Sequence, residues 1–203
     1  MKASTLRRSI AGPAGDIECA IDDPDLAPRG VAVLCHPHPQ HGGTMDNKVV
    51  QTMARAFVQL GWRAVRFNFR GIGMSAGQWD HGVGEVDDVL AVIAQLRDAA
   101  LPLALGGFSF GGAMATQAAA QLPDDAKALR LVLVAPAVLN FRAAPVSQDT
   151  IVIHGEADDV VPLSALFDWA RPQVLPITVV PGSGHFFHGQ LSLLKTLIVG
   201  AWR

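Results

Sequence analysis

The chain has 203 residues, and half of them are apolar, which is enough for one core of single-domain size and too little for two. Its 16 basic and 18 acidic residues leave a net charge of −2 with no basic stripe, so the electrostatic footprint of a nucleic-acid binder is missing. With only 17% charged residues, 20 Gly and 13 Pro, the composition excludes a disordered chain, a coiled coil and a solenoid. Cys19 and Cys35 are too few for a disulfide framework, have no metal-finger spacing, and read as small core residues. After Arg7-Arg8 no apolar stretch follows, because Asp16, Glu18, Asp22 and Asp23 interrupt it; an export signal is therefore not expected, and the chain reads as cytoplasmic.

The first elements predicted are two strands, Leu6–Ala11 and Asp16–Ile21, around the turn signal Gly12-Pro13-Ala14-Gly15. From there buried-type strands alternate with amphipathic helices. The strands are Val31–Cys35, Arg63–Phe67, Leu103–Phe108, Leu129–Ala135, Thr150–His154 and Pro176–Val180. The helices are Asn47–Leu60, Glu85–Asp98, Gly112–Gln121, Leu163–Arg171 and Phe187–Trp202, with Asp46 placed to cap the first. This alternation predicts an α/β fold: a mainly parallel central sheet with an N-terminal antiparallel hairpin and helices on both faces, in one domain over residues 1–203. Residues 99–123 carry no charge and are long enough to span a membrane. Pro102, the glycines at 106, 107, 111 and 112, Ser109 and Gln117 divide them into strand, turn and Ala-rich helix, so no membrane partner is expected.

In such sheets chemistry gathers beyond the carboxyl ends of the strands. Gly-x-Ser-x-Gly occurs there twice, at Gly73–Gly77 and at Gly107–Gly111. A nucleophilic serine needs a strained strand-to-helix turn with small neighbours. Ser109 has a strand before it and a helix pattern directly after it, whereas Ser75 is followed by the loop Gln78-Trp79-Asp80-His81-Gly82 and reads as an ordinary loop serine. A serine also needs a base, and the base needs a group to orient it. An acid loop, Gly155-Glu156-Ala157-Asp158-Asp159, follows one later strand, and Pro181-Gly182-Ser183-Gly184-His185 follows the next.

With these residues in place, the chain resembles the α/β-hydrolase superfamily over nearly its whole length. The elbow GFSFG, the acid loop HGEADDVVP, the segment GSGHFFHG and Arg70-Gly71-Ile72-Gly73-Met74-Ser75 carry the resemblance. More narrowly, Cys35-His36-Pro37-His38-Pro39 with Gly42–Lys48 is similar to a group of small bacterial hydrolases without a lid. The resemblance implies a triad of Ser109, Asp158 and His185, with Asp159 as the rival acid. His188 is expected one turn into the last helix and His154 as a structural hydrogen-bonder. Acyl transfer further requires oxyanion donors. One is the amide of Phe110; the family places the second in the loop after Val31–Cys35, where Pro37 and Pro39 have no amide hydrogen and His38 is the candidate.

His36, His38 and His41 invite a zinc reading, but two of them alternate with rigid prolines and no helical His-x-x-x-His is present, so neither metal nor cofactor is expected. Arg70 reads as an anchor tying loop carbonyls together, and Phe110 and Trp79 as packing residues that could also line an acyl pocket. Residues 136–148 are too few for a cap domain, which implies an open site. The resulting expectation is a serine esterase acting on a small-molecule ester with a small or exposed acyl group. The alternatives are thioester or peptide hydrolysis by the same residues, or a binding protein that kept the fold.

Overall fold

The computed structural model of the protein describes residues 5–202. Its eight strands form one sheet in the order β1-β2-β4-β3-β5-β6-β7-β8. The hairpin β1 (Leu6–Gly12) and β2 (Gly15–Asp22) pairs antiparallel, and β2 joins β4 (Arg63–Phe67) antiparallel as well. From β4 onward, through β3 (Val31–Cys35), β5 (Leu103–Phe108), β6 (Arg130–Val134), β7 (Ile151–Gly155) and β8 (Thr178–Val180), all pairing is parallel.

β3 and β5, in the middle of the sheet, carry no polar side chain and are buried throughout because both faces of the sheet are covered. On β3, Ala32 and Leu34 face one core with α1 (Lys48–Gln59) and α5 (Leu191–Ala201), contributed by residues such as Met53, Phe57, Leu194 and Ile198. Val31, Val33 and Cys35 face the other, with Val89 and Ile93 of α2 (Gly84–Leu96), Ala113 and Met114 of α3 (Phe110–Gln121), and Leu166 of α4 (Leu163–Ala170). The period-two alternation thus sorts a continuous apolar run onto two cores. The uncharged stretch 99–123 is β5, its turn and α3, buried between the sheet and its neighbours; among the described residues no helix is long and apolar enough to cross a membrane.

Three expectations need correction: the cap of α1, the start of the last helix with the place of His188 in it, and the contacts of Arg70. The N-cap of α1 is Asn47, whose Oδ1 accepts from the Val49 amide at 2.9 Å; Asp46 is drawn away by Arg66 and Arg7, at 3.0 and 2.7 Å. The last helix begins at Leu191, because Phe187 (φ 51°) and Gly189 (φ 73°) form a turn before it. His188 therefore lies in that turn, exposed. Arg70 does anchor its loop, but through carboxylates: it grips buried Asp88 through Nε at 3.0 Å and Nη2 at 2.8 Å. Between β6 and β7, residues 136–148 contain no helix or strand and form a strap packed along α3, tied by the Ala144 amide donating to Thr116 Oγ1 at 2.9 Å.

Candidate active site

β5 ends in a turn that only small residues permit. A Cβ on Gly107 would sit 2.2 Å from the Gly111 backbone, and one on Gly111 would sit 2.3 Å from the Cys35 carbonyl oxygen. Between them Ser109 is held at φ 55°, ψ −119°, a region that costs about 1–3 kcal/mol for a residue with a side chain. Neighbours fix this backbone: the Ser109 amide donates to Val134 O at 3.0 Å, and its carbonyl accepts from Gly112 at 2.9 Å and Ala137 at 3.0 Å. Ser75, by contrast, has a hydroxyl that donates to Asn68 O at 2.7 Å and accepts from the Glu18 amide at 2.9 Å, so it joins β2 to the loop after β4.

Two strands away, the loop after β7 folds Asp158 inward. Its Oδ1 accepts from the Val160 and Val161 amides at 2.9 and 2.8 Å, and its Oδ2 accepts from His185 Nδ1 at 2.7 Å. Because a carboxylate only accepts, His185 must carry its proton on Nδ1, which leaves Nε2 with a lone pair. Burial opposes the Asp158 charge, but the bonds from His185 and Val161 outweigh it and hold the carboxyl below the usual range. His185 sits over Phe108, with ring centroids 4.8 Å apart. Asp159 is exposed, with no hydrogen bond to either histidine. His154 is fully buried, with Nε2 donating to Val161 O at 2.8 Å and lying 3.5 Å from Asp158 Oδ2; burial keeps it neutral by lowering its pKa.

The loop after β3 flanks the elbow on the other side, as the strand order requires. His36 is consumed structurally: Nε2 accepts from the Phe69 amide at 3.0 Å, Nδ1 donates to Pro37 O at 2.6 Å, and burial lowers its pKa to about 4. The His38 ring stacks on His41 at 4.3 Å and leans on Trp79 at 4.7 Å. Arg66 fastens the far end of the loop by donating to Met45 O at 2.9 Å and pairing with Asp46. A cleft of about 260 Å³ runs between the two sides and brings together Ser109, His185, His38, Asn47, Val160 and Phe186. Phe110 and Trp79 do not line it. Phe110 is fully buried against Phe69, Trp79 and Phe141, so the apolar wall of the cleft is Val160 and Phe186 instead. Reading two residues past the acid and one past the histidine would have found both. Asn47 could have been found as the residue that ends the Gly42–Asn47 loop.

Residues 27–148 match the family described as serine aminopeptidase, S33. A Coxiella burnetii α/β serine hydrolase homologue is similar at 37% identity, covering 98% of this chain and 97% of that one, with a TM-score of 0.86. A Xanthomonas campestris α/β serine hydrolase without a lid is also 37% identical, covering 98% and 93%, with a TM-score of 0.88. An uncharacterized protein of Rickettsia prowazekii is 30% identical over 193 residues, 87% of this chain and 79% of that protein. The chain is an α/β hydrolase of the lidless bacterial kind and belongs to the serine aminopeptidase S33 family.

Proposed function

We propose that the protein hydrolyses carboxylic esters of small or exposed acyl groups through an acyl-enzyme on Ser109. The observation that carries this reading is the 2.7 Å bond from His185 Nδ1 to Asp158, made by a histidine that shares one cleft with a serine held at φ 55°. Ser109 Oγ attacks the carbonyl carbon and His185 Nε2 takes its proton. The C–O bond then breaks and the alcohol leaves with that proton. Water repeats the cycle on the acyl-enzyme, releasing the acid and restoring the serine. Asp158 keeps the imidazole in the accepting tautomer and offsets the charge of the imidazolium. The Phe110 amide, first in α3 and so without a partner inside the helix, receives the oxyanion together with the His38 amide. A cleft of about 260 Å³ lies below the usual range for drug-sized ligands and suits a small acyl group.

Intact-mass labelling by a fluorophosphonate tests the reading. One adduct is expected on the wild type and on Ser75→Ala, and none on Ser109→Ala. No adduct on folded wild type would overturn the catalytic reading in favour of a binding protein. A second reading, amide hydrolysis, is favoured by the family description. A matched oxygen-ester, thioester and amide series separates the three by kcat/KM, with the oxygen ester expected to lead.

A further inference from the structure

Two residues on the polar wall of the cleft, His38 and Asn47, are one-sided in their hydrogen bonding. Their acceptors are already used locally: Asn47 Oδ1 by the Val49 amide at 2.9 Å, His38 Nδ1 by the Gln40 amide at 3.2 Å, and His38 O by the amides of His41 at 3.1 Å and Gly43 at 3.0 Å. These contacts also decide what is left over. Because Asn47 Oδ1 is engaged, its Nδ2 hydrogens remain for the cleft; because His38 Nδ1 accepts, the ring proton sits on Nε2 as a donor. Burial and the neighbouring His41 both lower the His38 pKa, which favours this neutral form. None of the described residues lining the cleft is a carboxylate, and Asp158 is buried behind His185 with both oxygens bonded.

We infer that the side chains of His38 and Asn47 form a donor-only subsite that selects acyl groups ending in a carboxylate and rejects those ending in a cation. The inference rests on the ester-hydrolase reading and deepens it. Its polarity along the substrate follows from the mechanism. His185 must reach the leaving-group oxygen, so the alcohol lies on the side of Val160 and Phe186, and the acyl chain points across Ser109 to the loop after β3. A free N-terminal ammonium finds no acceptor in the His38 and Asn47 side chains and no carboxylate along the cleft, so peptides with such a terminus are expected to be poorer substrates than acyl groups ending in a carboxylate.

Three ethyl esters of comparable acyl length test this: the glutarate half-ester, pentanoate, and ω-trimethylammonio-butanoate. Wild-type kcat/KM should be about tenfold or more higher for the half-ester than for the cationic ester, the scale of one charge-assisted hydrogen bond. Asn47→Asp keeps an N-cap but replaces the amide donors with a carboxylate, and should reverse the order of the two charged esters. His38→Phe keeps the ring packing and the backbone amide while deleting Nε2–H, and should lower the half-ester to pentanoate ratio severalfold. Equal kcat/KM across the three esters in a protein that takes the fluorophosphonate label would overturn the inference and leave the Ser109 reading standing. No turnover and no label would remove both.

Discussion

Asp158→Asn separates orientation from packing, because the two carboxylate oxygens have different partners. Oδ1 receives two backbone amides, at 2.9 and 2.8 Å, and Oδ2 receives His185 at 2.7 Å. In the variant the amide oxygen must stay on Val160 and Val161. Turning the group over would set an NH2 against both donors, at about 1–3 kcal/mol for the buried Val161 amide left unsatisfied and less for the part-buried Val160 amide. The NH2 then points at His185 Nδ1, which can meet it only by accepting, and the ring proton moves to Nε2. In that tautomer the nitrogen nearest Ser109 has no lone pair for the hydroxyl proton. The shape of the site is retained and its base is disabled, which in comparable triads costs on the order of ten thousandfold in kcat, or about 5 kcal/mol. Steady-state ester hydrolysis with the fluorophosphonate labelling rate measures this, with Asp159→Asn, exposed on the same loop, expected within about twofold of wild type. A loss below about a hundredfold for Asp158→Asn, or an equal loss for Asp159→Asn, would refute the assignment of the acid and the tautomer argument with it.

Backbone strain at the elbow predicts that Ser109→Gly is more stable than Ser109→Ala by about 1 kcal/mol, since glycine alone is at ease at φ 55°; equal urea midpoints would show the turn to be relaxed. Ser75→Ala should lose about 1–3 kcal/mol of stability, because it abandons the Asn68 carbonyl and the Glu18 amide, with fluorophosphonate labelling retained. Stability should also fall on mild acidification. The folded-state pKa of His36 is depressed to about 4, so between that value and the free-imidazole value of about 6.5 the unfolded chain binds the extra proton. The loss from pH 7.5 to 5 is therefore about 2 kcal/mol from this group. His154, shifted the same way by burial, adds to it, and Asp158, shifted below the usual carboxyl range, contributes only at lower pH. Urea denaturation at several pH values should show this slope in the wild type and a shallower one in His36→Gln; equal slopes would contradict the buried neutral imidazole.

What the sequence revealed and what it concealed divide along the range of the forces involved. Val31–Cys35 and Leu103–Phe108 were legible to the residue, since a strand buried on both faces must be apolar throughout. The elbow was legible because its glycines stand at fixed spacing about the serine, although the demands on them differ: a Cβ on Gly107 would strike Gly111 in the same turn, and one on Gly111 would strike the Cys35 carbonyl of β3. Asp46 and Asn47 are equally good caps on paper, and the choice between them was made by Arg66, a residue on another strand. Phe187 fits the apolar period of the last helix, yet it is buried as part of a turn at φ 51°, so periodicity placed that helix start four residues early. The walls of the cleft depend still more on distant structure. Val160 and Phe186 meet only because β7 and β8 are neighbours, and Asn47 faces Ser109 only because β3 lies beside β5. The glycines that permit a strained nucleophile can thus be read from spacing, even where a neighbouring strand imposes the demand. Which donors remain open for a substrate depends on which acceptors the folded loop has already filled, and no pattern in the chain records that.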